Sequence, residues 1–229
     1  MRLDRYIANA TELSRKQARQ CIHDGRVTLD DTTARVNQAP VGAHSRVTLD
    51  GNVLRPVGLR YFMLHKPPGV ICANHDAQHT TVIDLLAVEA KETLQIAGRL
   101  DIDTTGLVLL TDDGQWNHRL TSPRRQCTKE YHVTTAQAIT PSQVDQLSRG
   151  VTLLHEDRPT RPARLELTDS CQAKLYITEG RYHQVKRMFA AVGNAVIRLH
   201  RNAVGEIRLD ESLRPGEFRA LAPAEIEAI

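Results

Sequence analysis

No apolar run in the 229-residue sequence approaches the ~20 residues that cross a bilayer, so no membrane segment is expected. The first residues, Met1-Arg-Leu-Asp-Arg5, enter directly on a charged amphipathic pattern without the apolar core of a signal peptide, and a cytoplasmic protein is expected. Cysteine is scarce: Cys21, Cys72, Cys127 and Cys171 stand more than forty residues apart, with no Cys-x-x-Cys pair. Reduced, mostly buried thiols are therefore expected in place of a zinc site or a disulfide framework. The sequence also lacks a glycine-rich nucleotide loop, an internal repeat and a low-complexity tract. One stretch, His75-Asp-Ala-Gln-His79, has metal-like spacing, but it is polar throughout and no metal is assigned to it.

What remains is an ordinary globular composition, 41% apolar and 25% charged, long enough for one substantial domain and a small one. The net charge of +3 is unevenly placed. Residues 1–57 hold nine Lys/Arg against six Asp/Glu, so the whole excess sits in the first quarter of the chain. That asymmetry fits a polyanion-binding module joined to a neutral body, although a solvated basic face would give the same count. Leu3, Ile7 and Ala10 predict a first short helix. Ser14-Arg-Lys-Gln17 is a capping-box pattern opening a second, with Ala18, Cys21 and Ile22 inward and Arg15, Lys16 and Arg19 outward, ended by Gly25. Strands follow at Val27–Leu29 and Val47–Leu49, the latter running into an Asp50-Gly51 turn. Three cations on one helix can lie across phosphates.

Pro and Gly interrupt both periodicities over 55–60, predicting a linker there and domains at 1–57 and 58–229. The larger domain should begin with a buried strand at Tyr61–Leu64, ended by the turn Lys66-Pro-Pro-Gly69. Thr81–Asp84 should cap a short helix, Leu107–Leu110 form an apolar strand, and Asp112-Asp-Gly114 turn it. A capped helix follows Thr140 as far as Gly150, and another with Val185, Met188, Phe189 and Val192 inward runs to Gly193. Strands are expected at 163–168, 174–178, 196–199, 205–209 and 218–221. Strands outnumber helices without regular alternation. The fold class is therefore α+β, with a mixed, mainly antiparallel sheet and flanking helices.

Three stretches carry chemistry. In Gly98-Arg-Leu-Asp-Ile-Asp-Thr-Thr-Gly106, Asp101 occupies a polar loop entering a wholly apolar strand, where a scaffold can hold a reactive side chain. Asp103 could pair with it as acid and base, or both could simply cap a turn. In Pro123-Arg-Arg-Gln-Cys-Thr-Lys-Glu-Tyr131, the cations Arg124, Arg125 and Lys129 precede Tyr131, whose ring could stack on a base or merely fill a strand position. In Ile177-Thr-Glu-Gly-Arg-Tyr-His-Gln-Val-Lys-Arg-Met188, a strand ends and a helix begins with Lys186 and Arg187. A cation there could pair with a carboxylate of the Asp101 loop and keep it ionised, or lie on a solvated basic face.

Together, in order and spacing, these stretches resemble the three motifs of the RsuA branch of pseudouridine synthases. The matching residues are Gly-Arg-Leu-Asp with Gly-Leu-x-x-Leu-Thr-x-Asp-Gly, then Lys-Glu-Tyr, then Glu-Gly-Arg-x-x-Gln-Val-Lys-Arg-Met. The N-terminal Arg-Leu-Asp, Ser-Arg and Gly-Arg-Val pattern resembles an S4 RNA-binding domain, so the likeness covers essentially the whole chain. It implies an S4-like domain followed by a catalytic domain, and cofactor-free, metal-free isomerisation of a ribosomal RNA uridine by a monomer. Arg60-Tyr-Phe-Met-Leu, Thr121-Ser-Pro-Arg and Gly180-Arg-Tyr-His-Gln-Val-Lys-Arg-Met are most similar to members acting on uridine 516 of 16S RNA. The partner implied is that RNA or a small-subunit assembly intermediate.

By the same resemblance Asp101 is the nucleophile, attacking C6 of the base or C1′ of the ribose, or assisting through a glycal. Tyr131 stacks under the base and helps the C5 proton leave. Lys186 pairs with Asp101, with Arg187 in reserve because related synthases often carry arginine at the position of Lys186. Arg99 fills the space an extruded uridine vacates. Ile177 packs on the ring, and Arg181 and Arg187 complete the substrate contacts. Arg2, Arg15, Lys16, Arg19, Arg26, Arg124, Arg125 and Lys129 would hold RNA. A sibling acting on 23S RNA, a non-catalytic S4-type assembly factor, and a hydrolase using Asp101 and Asp103 remain the rival expectations.

Overall fold

The computed structural model describes residues 1–42, 45–54 and 58–229. Residues 55–57 of the expected linker lie outside the described residues. Two compact units are present, one of residues 1–60 with 88–93, the other of 61–87 with 94–229. Segment 88–93 joins the first unit because the Arg60 guanidinium donates to the carbonyls of Glu89 and Ala90 and to Thr93 Oγ1.

In the first unit, α1 (Leu3–Ala10) and α2 (Arg15–His23) precede β1 (Val27–Leu29), β2 (Thr32–Thr33), β3 (Val47–Leu49) and β4 (Asn52–Leu54). Among the described residues these strands form an antiparallel sheet in the order β2-β1-β3-β4. Ser14 and Gln17 make both halves of the capping box that starts α2. Leu3, Ile7, Ala18 and Ile22 close the core against Val27 and Val47. Both hairpins turn through consecutive positive φ angles, Asp30 and Asp31 at 49° and 62° and Asp50 and Gly51 at 51° and 81°. Asp and Gly tolerate that conformation, and its twist matches the flanking strands.

The second unit contains β5 (Tyr61–Lys66), β6 (Gln95–Ala97), β7 (Thr105–Thr111), α3 (Gly114–Thr121), β8 (Lys129–Thr135), α4 (Pro141–Arg149), β9 (Arg164–Asp169), β10 (Gln172–Ile177), α5 (Gln184–Ala191), β11 (Val196–Val204), β12 (Ile207–Arg208), β13 (Phe218–Ala220) and α6 (Pro223–Glu227). Its sheet runs β13-β5-β7-β11-β8-β10-β9, and among these neighbours β11 with β7 is the parallel pair. Leu107, Val108, Leu109 and Leu110 are all fully buried, so β7 is covered on both faces, as its unbroken apolar run requires. Two expectations change. Thr81 and Asp84 bond each other reciprocally, yet the segment closes as a turn and does not continue into a helix. Asp113 does more than turn the chain: its carboxylate accepts from the Gln115 N–H and caps α3, which buries Trp116 and Leu120.

The topology creates a fork. One edge of β7 is shared: β11 pairs with Thr105 and Gly106, and β6 pairs with Leu109 to Thr111. The connection from β6 to β7, residues 98–104, must emerge where those two partners diverge. Gly106 makes the fork close-packed, because a Cβ there would lie 2.2 Å from the Arg201 carbonyl oxygen.

On the sheet face opposite Tyr131 and Arg201, three imidazoles lie side by side, with ring centroids 5.5 Å apart for His65 and His200 and 6.4 Å for His132 and His200. Burial, then the neighbouring His65 and His132, lowers the His200 pKa from 6.5 to about 4. An unfolded chain therefore takes up a proton below pH 6.5 that the folded chain refuses until about 4, so stability falls as pH drops through that window. Between pH 7 and 5 the loss from His200 should be about 2 kcal/mol. Urea midpoints at the two pH values should converge in His200→Gln; an unchanged gap would show that His200 does not set it.

Candidate active site

Asp101 sits on the loop at the fork, and that loop is held by two buried cations from either side. Lys66, at the end of β5 and fully buried, donates from Nζ to the carbonyls of Thr104 at 2.7 Å, Pro67 at 3.1 Å and Ile102 at 3.2 Å. Arg201, on β11 and 1% exposed, donates to the carbonyls of Gly98 at 2.8 Å, Leu107 at 2.8 Å and Arg99 at 3.4 Å. The Gly69 N–H adds a bond to the Ile102 carbonyl, and the Leu100 N–H donates to Cys72 Sγ. Burial pushes the Lys66 amine below its usual pKa, partly resisted by the nearby carboxylates of Asp103 and Asp101. Backbone carbonyls that no strand partner reaches are satisfied by side chains instead.

Helix α5 meets this loop. Lys186 Nζ lies 2.5 Å from Asp103 Oδ1 and 3.5 Å from Asp101 Oδ2, and His183 Nε2 lies 3.5 Å from Asp101 Oδ1. Lys186 is therefore the α5 cation that faces Asp101, and its hydrogen bond holds the Asp103 carboxyl below the usual range. A carboxyl held low is a poor general acid near neutral pH, which weakens the hydrolase reading of Asp101 and Asp103. Arg187 turns elsewhere, donating to Glu156 Oε1 at 2.6 Å and to the carbonyls of Leu154 and Tyr182.

The cleft beside Asp101 measures about 560 Å³, within the roughly 300–1,000 Å³ range of small-ligand sites. Tyr131 and Ile177, 7% and 2% exposed, line it from β8 and β10, and exposed Arg99 lines it from the loop. The structure thus brings Asp101, Tyr131, Arg99 and Ile177 to one cleft, with Lys186 bonded to its Asp101 loop.

Other expected contacts differ in placement. Arg181 lines the cleft, but its guanidinium is committed to Glu156 at 2.6 Å, Glu179 at 3.3 Å and the carbonyls of Arg158 and Pro159. Arg181 and Arg187 share Glu156 and tie the segment around it to α5; neither guanidinium is free for substrate in this arrangement. Lys129 lines the cleft and is partly buried, its amine 3.1 Å from the Cys127 carbonyl and its pKa lowered by burial. Arg124 and Arg125 are exposed on the turn before β8.

In the first unit, Arg2, Arg15 and Arg19 converge on Asp4, at 3.1, 3.3 and 2.9 Å, around a carboxylate with no exposed side-chain surface. Burial alone would raise the Asp4 pKa; the hydrogen bonds from Arg19 and Arg2 and the charge of Arg15 outweigh it and hold it low. Arg26 pairs with Asp50. These arginines are thus bound to carboxylates as well as half exposed, whereas Lys16 is exposed on α2.

Three site residues escape a reading of the sequence: Lys66, Arg201 and His183; Asp103, already a candidate carboxylate of the loop, is the closer partner of Lys186. Lys66 and Arg201 give no local signal, because the loop carbonyls they hold, Ile102 and Thr104 for Lys66 and Gly98, Arg99 and Leu107 for Arg201, lie more than thirty residues away. His183 lies within a recognised motif, but at a position that motif leaves open. His75 and His79 flank a loop in which Asp76 accepts from the N–H groups of Gln78 and His79. All four cysteines are free thiols, Cys21 and Cys72 buried and Cys127 and Cys171 partly so.

Known proteins resemble the chain along its whole length. The family model for RNA pseudouridylate synthases matches residues 60–191. The chain is 48% identical over 230 residues to the ribosomal small subunit pseudouridine synthase A of Escherichia coli K12, covering 100% of both chains. It is 45% identical over 229 residues to the Vibrio cholerae serotype O1 protein of that name, covering 100% of this chain and 99% of the relative. A crystal structure of a pseudouridylate synthase matches with a TM-score of 0.73 at 42% identity, covering 100% of this chain and 99% of that one.

Proposed function

The chain belongs to the RNA pseudouridylate synthase family, and from that premise we propose that it converts uridine 516 of 16S ribosomal RNA to pseudouridine. The isomerase chemistry follows from the family. The small-subunit substrate is supported by relatives of 44–48% identity over the whole chain that carry that name. Position 516 is supported by the segments around Arg60, Thr121 and Gly180, which resemble the members acting there.

The observation that carries the reading is one carboxylate, Asp101, on a clamped loop in a cleft with Tyr131, flanked at 3.5 Å by Lys186 and by His183. The target uridine leaves its stack, at a cost of a few kcal/mol, and Arg99 takes its place. Asp101 attacks as nucleophile at C6 or C1′, or assists a glycal route; in each case the N1–C1′ bond breaks and a C5–C1′ bond forms. Lys186, 3.5 Å from Asp101, sets positive charge between that carboxylate and the RNA phosphates. Tyr131 lies under the base and helps the C5 proton leave, while N1 ends protonated. No electrons leave the system and no group is donated, so the balance closes without a cofactor.

The first unit is the S4-like RNA-binding domain of this reading, and its cations contact phosphate. Lys16→Glu should lower RNA affinity and flatten its salt dependence by about 0.7–0.9 in log–log slope for each phosphate no longer neutralised. Arg15→Glu and Arg19→Glu are poorer probes, because they bring a second carboxylate against buried Asp4. An unchanged slope in Lys16→Glu would remove α2 from the RNA interface.

The functional test is tritium release from 5-tritiated 16S transcripts, free and with bound ribosomal proteins, and from 23S transcripts, with carbodiimide mapping of the products. Release confined to position 516 is expected. Modification of 23S RNA instead would assign a sibling activity, free uracil would assign a hydrolase, and RNA binding without release would assign an assembly factor.

A further inference from the structure

Tyr182 is a large aromatic side chain that the chemistry above leaves unused. It is 73% exposed, yet it lines the cleft that holds Asp101. One face of its ring stacks on His183, with centroids 3.8 Å apart and planes 19° from parallel. His183 in turn stands 3.5 Å from Asp101. The remaining face of the tyrosine ring is turned to solvent at the mouth of the cleft.

The backbone beneath this pair is fixed. His183 starts α5 in the left-handed conformation, at φ 46° and ψ 36°, a region sparsely used by residues with a Cβ, though histidine enters it more readily than most. Arg187 bonds the Tyr182 carbonyl at 3.1 Å and the Leu154 carbonyl at 2.7 Å, while Glu156 holds the same guanidinium. Leu154 is 75% exposed. One buttressed arginine therefore anchors two outward apolar side chains. A solvent-exposed ring whose backbone is held this firmly loses little entropy when something stacks on it.

We propose that Tyr182 is a nucleobase platform: the base next to the isomerised uridine in the RNA strand stacks on its free face, continuing the row of Tyr182 and His183. The occupant is an unpaired RNA base, because its π-face complements the ring and because the strand that places a uridine against Asp101 continues past the cleft mouth. Stacking tolerates any base, so the platform sets the path of the strand more than the sequence it accepts. This inference rests on the RNA-uridine reading of the Asp101 cleft. In that reading Arg187 supports the platform, which accounts for its turning away from Asp101.

Steady-state and single-turnover tritium release from the 16S transcript would be measured for wild type and for Tyr182→Phe, Tyr182→Trp, Tyr182→Leu and Tyr182→Ala. Loss of one stacked base should raise KM roughly tenfold in the Leu and Ala variants with kcat within about twofold, while Phe and Trp stay near wild type. Ligated transcripts with an abasic residue at either nucleotide flanking the target complete a cycle. One abasic position should weaken wild type about tenfold and the Ala variant hardly at all. Additive losses at both positions overturn the platform, as does a fall in kcat shared by all four variants, which would make Tyr182 a support for His183. A wild-type enzyme inactive on 16S RNA in either form would sink the functional reading and the platform with it. An active wild type with four indifferent variants sinks the platform alone.

Discussion

Asp101→Asn is expected to abolish isomerisation, by at least about 10⁴-fold in single turnover, with RNA affinity within about threefold of wild type. The amide keeps the size of the carboxylate but cannot bond covalently to the nucleotide or carry the charge that Lys186 and His183 face. The surroundings should survive the change. The loop is held by Lys66 and Arg201 through backbone carbonyls, and Lys186 keeps its 2.5 Å bond to Asp103. The urea midpoint should accordingly stay close to that of wild type. Retained turnover would remove Asp101 from the chemistry, and a lost fold would show that its charge is structural. Asp103→Asn is the informative companion: it frees Lys186 to follow Asp101, so activity should fall much less than in Asp101→Asn.

Lys66→Met is expected to cost about 10²-fold or more in kcat while leaving KM for RNA within about threefold, because a reactive group misplaced by ~1 Å loses that much rate. Methionine fills the volume but offers no donor. The Thr104 and Pro67 carbonyls lose the amine, and the Ile102 carbonyl keeps only the Gly69 N–H. Each buried acceptor left unmet costs about 1–3 kcal/mol, offset in part because a buried ammonium no longer has to be desolvated. A net loss of about 2 kcal/mol is expected in urea unfolding. The pH dependence gives a second signature. The folded-state pKa of Lys66 lies below the ordinary lysine value of 10.5, so between the two the unfolded chain binds more protons than the folded one. Stability from this group therefore rises with pH in that alkaline window, and Lys66→Met should remove the rise. Wild-type kcat in the variant would mean that the loop holds Asp101 without the lysine.

Several elements are legible residue by residue because their causes are local. Ser14 with Gln17, and Thr140 with Pro141 and Gln143, start helices through bonds three residues apart, and both helices begin where the pattern places them. The same logic fails at Thr81. There the reciprocal bonds to Asp84 form, but local capping does not decide whether a chain continues as helix, and Ile71 pairs with Thr81 as an isolated bridge instead. Helix α3 is hidden because Asp112-Asp-Gly114 reads as a turn. Its capping residue and the spacing of Trp116 and Leu120 are present, but the burial of that face depends on Tyr61 and on the Ile226 carbonyl.

The sequence by itself determined the family, the α+β class and the loop that carries Asp101, because motif spacing and hydrophobic period are properties of neighbours along the chain. Only the tertiary structure decided which cation faces that carboxylate, that Arg181 and Arg187 serve Glu156, and that Lys66 and Arg201 grip the loop. A charge finds its partner by proximity in space, and here the partners are separated by 25 to 103 residues. Spacing along the chain carries no information about such pairs until the sheet brings β5, β7 and β11 together.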